Sequence, residues 1–238
     1  MTQFLNETPP LYNPAFEHDG CGTGFVANIQ GERTHKLVEL AILALVNLTH
    51  RGAVSADAAS GDGAGITIQI PRELLADHPL CSNVTSDQID RLAIAMVFLP
   101  SEEKSRPLAR SLLEDTVRLS GIEVLGWRTV PTDSSVLGGL ALKSLPGIEQ
   151  LLMLRPSDLT EAEFDRTLYL ARRCAEAAYK KSGVESYIVS MSSDIVVYKG
   201  LMVAPQLERF FPDLADKRTL SSLALFHQRF ATNTLPSW

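Results

Sequence analysis

Residues 21–27 read Cys21-Gly22-Thr23-Gly24-Phe25-Val26-Ala27. Phe25-Val26-Ala27 has the composition of a strand, and Gly22 and Gly24 let another chain or a ligand approach the backbone closely. The run therefore sets a thiol at the mouth of a strand. A free thiol has a pKa of about 8.5, so only a few per cent is thiolate at neutral pH, and nucleophilic use needs a base. No His adjoins Cys21 downstream; His18 lies upstream. Cleavage between Gly20 and Cys21 would supply a base on the nucleophile's own residue, an α-amino group with a pKa of about 7.7–8.0. On these residues alone the commoner reading is a buried structural cysteine at a strand edge, since free Cys is among the most buried residue types.

Upstream, residues 1–20 carry Pro9, Pro10, Asn13, Pro14 and Asp19-Gly20. The segment has no apolar core or basic start for a signal peptide and is not Arg-rich like a transit peptide. It reads as an extended leader, or equally as an ordinary disordered terminus. Downstream, Thr34 is an N-cap candidate for a helix over His35–His50. Leu37, Leu40, Ala41, Ala44, Leu45 and Leu48 recur at three- and four-residue spacing along it. Gly52 ends the element. Arg51 then sits where a cation complements the helix dipole; its functional reading is a positive charge near Cys21. The loop Ser60-Gly61-Asp62-Gly63-Ala64-Gly65-Ile66 lacks the Lys-Ser/Thr of a phosphate loop and leads into a strand, so it reads as a tight turn. Asp57 and Asp62 lack the His or Cys spacing of a metal site.

Toward the other end stands Phe226-His227-Gln228-Arg229-Phe230-Ala231-Thr232-Asn233-Thr234. The planar fork of Arg229 suits bidentate capture of a carboxylate, and the Thr232 hydroxyl lies three residues on. A regular strand has period two, so the two side chains share a site only if the chain turns or bulges between them. Thiol and carboxylate grip together point to hydrolysis of an amino-acid amide.

These segments, with His50-Arg51-Gly52-Ala53, Gly61-Asp62-Gly63-Ala64-Gly65 and Ser190–Gly200, resemble in order the glutaminase domain of the glutamate synthase large subunit. That domain is a class II, N-terminal-nucleophile glutamine amidotransferase. The Gly61–Gly65 insert and the ending Asn233-Thr234-Leu235-Pro236-Ser237-Trp238 favour this branch. The resemblance implies that Cys21 is the nucleophile, exposed by removal of residues 1–20. It implies that Arg229 and Thr232 hold the α-carboxylate of glutamine and that Arg51 is a supporting arginine. Phe25 and Phe230 are expected to be packing residues. Residues 21–238 would be the N-terminal part of the amidotransferase domain. The implied fold is α+β: an αββα sandwich of two stacked antiparallel sheets, C-terminally incomplete.

The family's Asn-Gly oxyanion pair and its acidic α-amino-binding residue fall beyond Trp238, and no Asn-Gly dipeptide occurs here. Losing an oxyanion donor costs on the order of a hundred- to a thousandfold in rate. The expectation is therefore a truncated chain, inactive alone and aggregation-prone through an open edge at Leu223–Phe230. Alternatives are a stand-alone N-terminal-nucleophile amidohydrolase and an inactive fragment. The resemblance implies FMN and an iron–sulfur cluster only in further domains of a longer polypeptide. The implied partners are glutamine, those synthase domains and a small electron-supplying subunit.

Composition sets outer limits. The 238 residues are 45% hydrophobic with a net charge of −6, which fits one globular domain and argues against nucleic-acid or membrane-surface binding. Cys21, Cys81 and Cys174 are few and unclustered, pointing to a reducing, cytoplasmic setting and not to a four-thiolate cluster. Patterning predicts strands at Gly24–Gln30, Gly65–Ile70, Leu92–Phe98, Val124–Val130, Ile148–Leu154, Ser186–Met191, Ile195–Tyr198 and Leu223–Phe230. It predicts helices at His35–His50, Glu102–Leu119 and Thr160–Lys181. Pro107 should delay the second helix, and Thr160 and Glu163 form a capping box on the third. Cys174 is placed on or beside that helix's apolar face. Ser186–Met191 and Ile195–Tyr198 read as a hairpin. Strand–helix alternation alone would suggest a parallel sheet; the resemblance argues for antiparallel ones.

Overall fold

The computed structural model describes residues 22–55, 57, 59–231 and 235–238. Two four-stranded sheets organise the chain. The first has the order β1 (Gly22–Ala27), β8 (Leu223–Gln228), β2 (Ala64–Gln69), β7 (Ile195–Gly200). The second runs β4 (Glu123–Thr129), β5 (Gly147–Leu154), β3 (Leu92–Leu99), β6 (Tyr187–Ser192). Each ladder is antiparallel. The helices are α1 (His35–Asn47), α2 (Arg72–Ala76), α3 (Ser86–Ile89), α4 (Arg106–Leu119), α5 (Gly139–Lys143), α6 (Glu161–Ser182) and α7 (Leu207–Phe210). The fold is α+β, as the family pattern implied, and the parallel alternative falls.

The second sheet is covered on both faces. Along β3 all residues are buried. Ala93, Ala95, Val97 and Leu99 pack with Leu113 and Val117 of α4 and Phe164 and Leu168 of α6. The alternate residues Met96 and Phe98 join Ile66, Ile68, Val196 and Tyr198 of the first sheet in one core, to which α1 adds Leu37, Val38, Ala41, Ile42 and Leu45. Period-two alternation thus divides one strand between a helix layer and a neighbouring sheet.

Local signals formed as expected at the helix starts. Thr34 Oγ1 accepts the Leu37 N–H at 3.3 Å. Thr160 and Glu163 cap α6 reciprocally, at 2.9 and 3.3 Å. Pro107 stands in the first turn of α4, where its missing N–H costs nothing.

Five expectations need correction. Ser186–Met191 and Ile195–Tyr198 do not form a hairpin: β6 pairs with β3 and β7 with β2, so the short turn carries the chain between sheets. The strand at Leu223 is no open edge, because β8 lies between β1 and β2. Leu40 is 43% exposed, since the packed face of α1 runs through Val38 and Ile42 instead. Cys174 is exposed, one position off the buried Ala175 on a helix that turns 100° per residue. Phe25 is 71% exposed rather than packed. It stands opposite Leu225 on a face of the first sheet.

Candidate active site

Helix α1 ends at Asn47, earlier than its apolar pattern suggested, and a 3-10 turn over Thr49–Arg51 follows. This turn swings Arg51 against the start of β1. A Cβ built on Gly22 would stand 3.0 Å from the Arg51 Cβ and 3.2 Å from the Leu48 Cβ. Arg51 is thus beside the residue covalently joined to Cys21. Its backbone N–H donates to Leu48 O at 2.8 Å. Cys21 itself lies outside the described residues.

The β1–β8 ladder sets Gly22 opposite Gln228, and β2 brings Ala64 opposite the same Gln228. Gln228 is the last residue of β8 and precedes Arg229. Its side chain is fully buried and bonded at both ends: Oε1 accepts the Ala204 N–H at 2.8 Å, and Nε2 donates to Gly63 O at 3.2 Å. Gly52 passes directly over it; a Cβ there would fall 2.2 Å from Gln228 Nε2. Three sequence-distant loops therefore converge on one amide side chain.

The glycine loop, as expected, is a turn into a strand. Val54 and Gly61 form an isolated bridge, Gly63 has φ +139°, and β2 follows. That left-handed φ strains any side chain. Gly63 O accepts the Arg229 N–H at 2.8 Å, while the Ala231 N–H donates to Asp62 Oδ2 at 2.5 Å. Asp57 is spent on its own turn, accepting from the Ser60 hydroxyl and N–H at 2.6 and 2.7 Å; these bonds hold its carboxyl well below the usual range. Among the described residues no group of His, Cys, Asp and Glu could hold a metal ion.

Beside these segments opens a cavity of about 520 Å³ whose walls include Thr23, Asp62, Gly63, His227, Arg229 and Trp238. Its size suits a small molecule. Burial, with the Arg229 charge adding to it, pushes the His227 imidazole below its ordinary value, so His227 is neutral at pH 7. Arg229 is the wall's guanidinium. Thr232, the expected second grip on a carboxylate, lies outside the described residues. Phe230 is 40% exposed.

Of the residues singled out in the sequence, the fold brings Arg229 and Arg51 to the same end of the first sheet. Sequence reading missed Gln228 and the contact of Asp62. Gln228 stands next to the arginine, and a Gln at the buried position of an alternating strand was the available signal.

Residues 21–238 match the family model described as class-II glutamine amidotransferases. The chain is 45% identical over 222 residues to ferredoxin-dependent glutamate synthase 2 of Synechocystis sp., covering 93% of this chain and 14% of that protein. It is 38% identical over 229 residues to the large chain of the NADPH glutamate synthase of Bacillus subtilis (96% and 15%). With the NADH glutamate synthase of Saccharomyces cerevisiae it shares 40% identity over 240 residues (96% and 11%). The chain thus spans less than a sixth of the length of these relatives.

Proposed function

Because the chain belongs to the class II glutamine amidotransferases, we propose that it is the glutaminase part of a glutamate synthase, with Cys21 as nucleophile. The leader 1–20 is removed, and the freed α-amino group takes the thiol proton. The thiolate attacks the side-chain amide carbon of glutamine, and the C–N bond breaks after the amine gains that proton. Ammonia leaves, and a γ-glutamyl thioester remains on Cys21. Water then cleaves the thioester to give glutamate and the free thiol. Arg229 and Thr232 hold the α-carboxylate, and Arg51 favours the thiolate form of Cys21.

The observation that carries this reading is the register of β1 on β8. Gly22 opposes Gln228, so the residues covalently joined to the proposed nucleophile and to the proposed carboxylate grip are cross-strand neighbours. Opposed residues on such a ladder are about 4.5–5.5 Å apart. A glutamine spans a comparable distance from α-carboxylate to side-chain amide, given about 3.3–3.6 Å per extended residue plus side-chain reach.

In the longer polypeptide the ammonia is consumed in making glutamate from 2-oxoglutarate. The flavin and iron–sulfur cluster for that step belong to other domains; Cys81 and Cys174, both free, offer no cluster ligand set here. An electron-supplying subunit or protein is the expected partner, in a cytoplasmic setting.

The test uses the full-length polypeptide, because the chain spans less than a sixth of the length of its relatives. Intact-mass analysis of active protein should give an N-terminus at Cys21, and Cys21→Ala should abolish glutamine hydrolysis. Full turnover by protein that retains Met1 or Thr2 would overturn the amine-as-base scheme. Full turnover by Cys21→Ala would overturn the nucleophile.

A further inference from the structure

Asp62 has no part in the chemistry above, yet it stands where the site's segments meet. Its side chain is buried, 8% exposed. Its backbone N–H donates to Ala53 O at 3.2 Å, tying it to the segment that bears Arg51. Its carboxylate accepts the Ala231 N–H at 2.5 Å, tying it to the segment that bears Arg229. The next residue, Gly63, accepts the Arg229 N–H at 2.8 Å. The ladder of β8 stops at Gln228, so these two bonds take over where strand pairing ends. A buried carboxylate is costly unless bonded, and a charge-assisted bond is roughly twice as strong as a neutral one. A turn with no task beyond entering β2 has no use for one.

We propose that Asp62 is a positioning residue: it fixes the backbone of Arg229–Ala231 so that Arg229 meets the α-carboxylate of glutamine at a set distance from the Arg51 end. This rests on the glutaminase reading. Asp62 touches no substrate in this scheme, so its loss should weaken ground-state and transition-state binding alike and leave the chemical step intact.

The experiment compares Asp62→Asn and Asp62→Ala in the full-length polypeptide, by glutamine kinetics and by amide hydrogen exchange of the peptide containing residues 229–231. Asn keeps an acceptor oxygen; Ala does not. Asp62→Ala should raise KM for glutamine roughly tenfold or more, the scale of a lost bond to a charged group, with kcat within about threefold. Exchange in that peptide should quicken. Asp62→Asn, which keeps an acceptor but loses the charge, should lie between wild type and Asp62→Ala in both. If Asp62→Ala does not accumulate as folded protein, Asp62→Ser, with its shorter arm, takes its place with the same expected split. An unchanged KM in the Ala or Ser variant overturns the proposal whatever the exchange does, as does an Asn variant equally impaired. Absence of glutamine hydrolysis in the wild-type full-length polypeptide would remove the glutaminase reading separately; unchanged exchange in Asp62→Ala would then still overturn the holding role of Asp62.

Discussion

Arg229 is held by its backbone, through Gly63 O at 2.8 Å, which leaves the direction of its side chain set by the loop and not by a regular strand. A guanidinium meets a carboxylate with two parallel donors, whereas an ammonium is a point charge. Arg229→Lys should therefore raise KM for glutamine about tenfold or more in the full-length polypeptide, and Arg229→Ala further, with smaller effects on kcat. Steady-state kinetics checks this; unchanged KM in both variants would remove Arg229 from the carboxylate grip. At this scale the sequence was readable where chemistry is carried by residue type. The fork of Arg229 suits a carboxylate by residue type alone, and its role in gripping one belongs to the proposal above. The sequence could not show that Arg51 abuts Gly22, because a 3-10 turn after α1 and the start of β1 meet only in three dimensions. Nor could it show that Gln228 and Gly52 occupy adjoining space.

Helix α1 illustrates what an element adds. Glu39 stands on its exposed side and accepts from Lys217 at 2.9 Å and Lys36 at 3.1 Å. The Lys217 bond, then the Lys36 bond, draw its carboxyl down from 4.5 to about 2. A folded-state pKa below the unfolded value contributes stability that is present above about 4.5 and lost as pH falls toward about 2. Glu39→Gln should flatten the pH dependence of thermal stability inside that window and leave its shape above it unchanged. Melting curves taken across the window test this; an unaltered profile would mean that the pairs are idle, as many exposed ones are. The location of every strand and of the three long helices was legible, because period-two and 3.6-residue patterns and the Thr160–Glu163 cap are local. Pairing is not local. The short turn between β6 and β7 has the composition of a hairpin turn, yet its flanking strands take partners from different sheets. The face of α1 was misjudged at Leu40 because Leu recurs on both sides of that helix.

Across the whole molecule one polar network joins the sheets. Arg128 of β4 donates to Asp213 Oδ1 and Oδ2 at 2.7 and 2.8 Å and to Gln150 of β5 at 2.8 Å. The hydroxyl of Tyr198, on β7 of the other sheet, donates to Asp213 Oδ2 at 3.0 Å. Burial, then the Asp213 charge, drive the Tyr198 hydroxyl far above the ordinary phenol range, so it stays a donor. Removing one partner strands the other charge, so Asp213→Leu or Arg128→Met should each cost about 3–5 kcal/mol. Combining Arg128→Met with Asp213→Leu replaces both charges by hydrophobes and should cost far less than the sum of the single changes. Urea unfolding measures both, and simple additivity would refute the coupling. The sandwich has another property that concerns its making. Strand β1 stands at the rim of its sheet, and its ladder partner β8 comes last among the described strands. Roughly two hundred residues separate Ala27 from Leu223, which at about 5–20 residues per second is some 10–40 s of translation. Translation thus leaves β1 without its ladder partner until β8 has emerged. If the trimming proposed above needs the finished surroundings of Gly22, it must follow synthesis of β8, and on that proposal Cys21 would not be armed on a half-made chain.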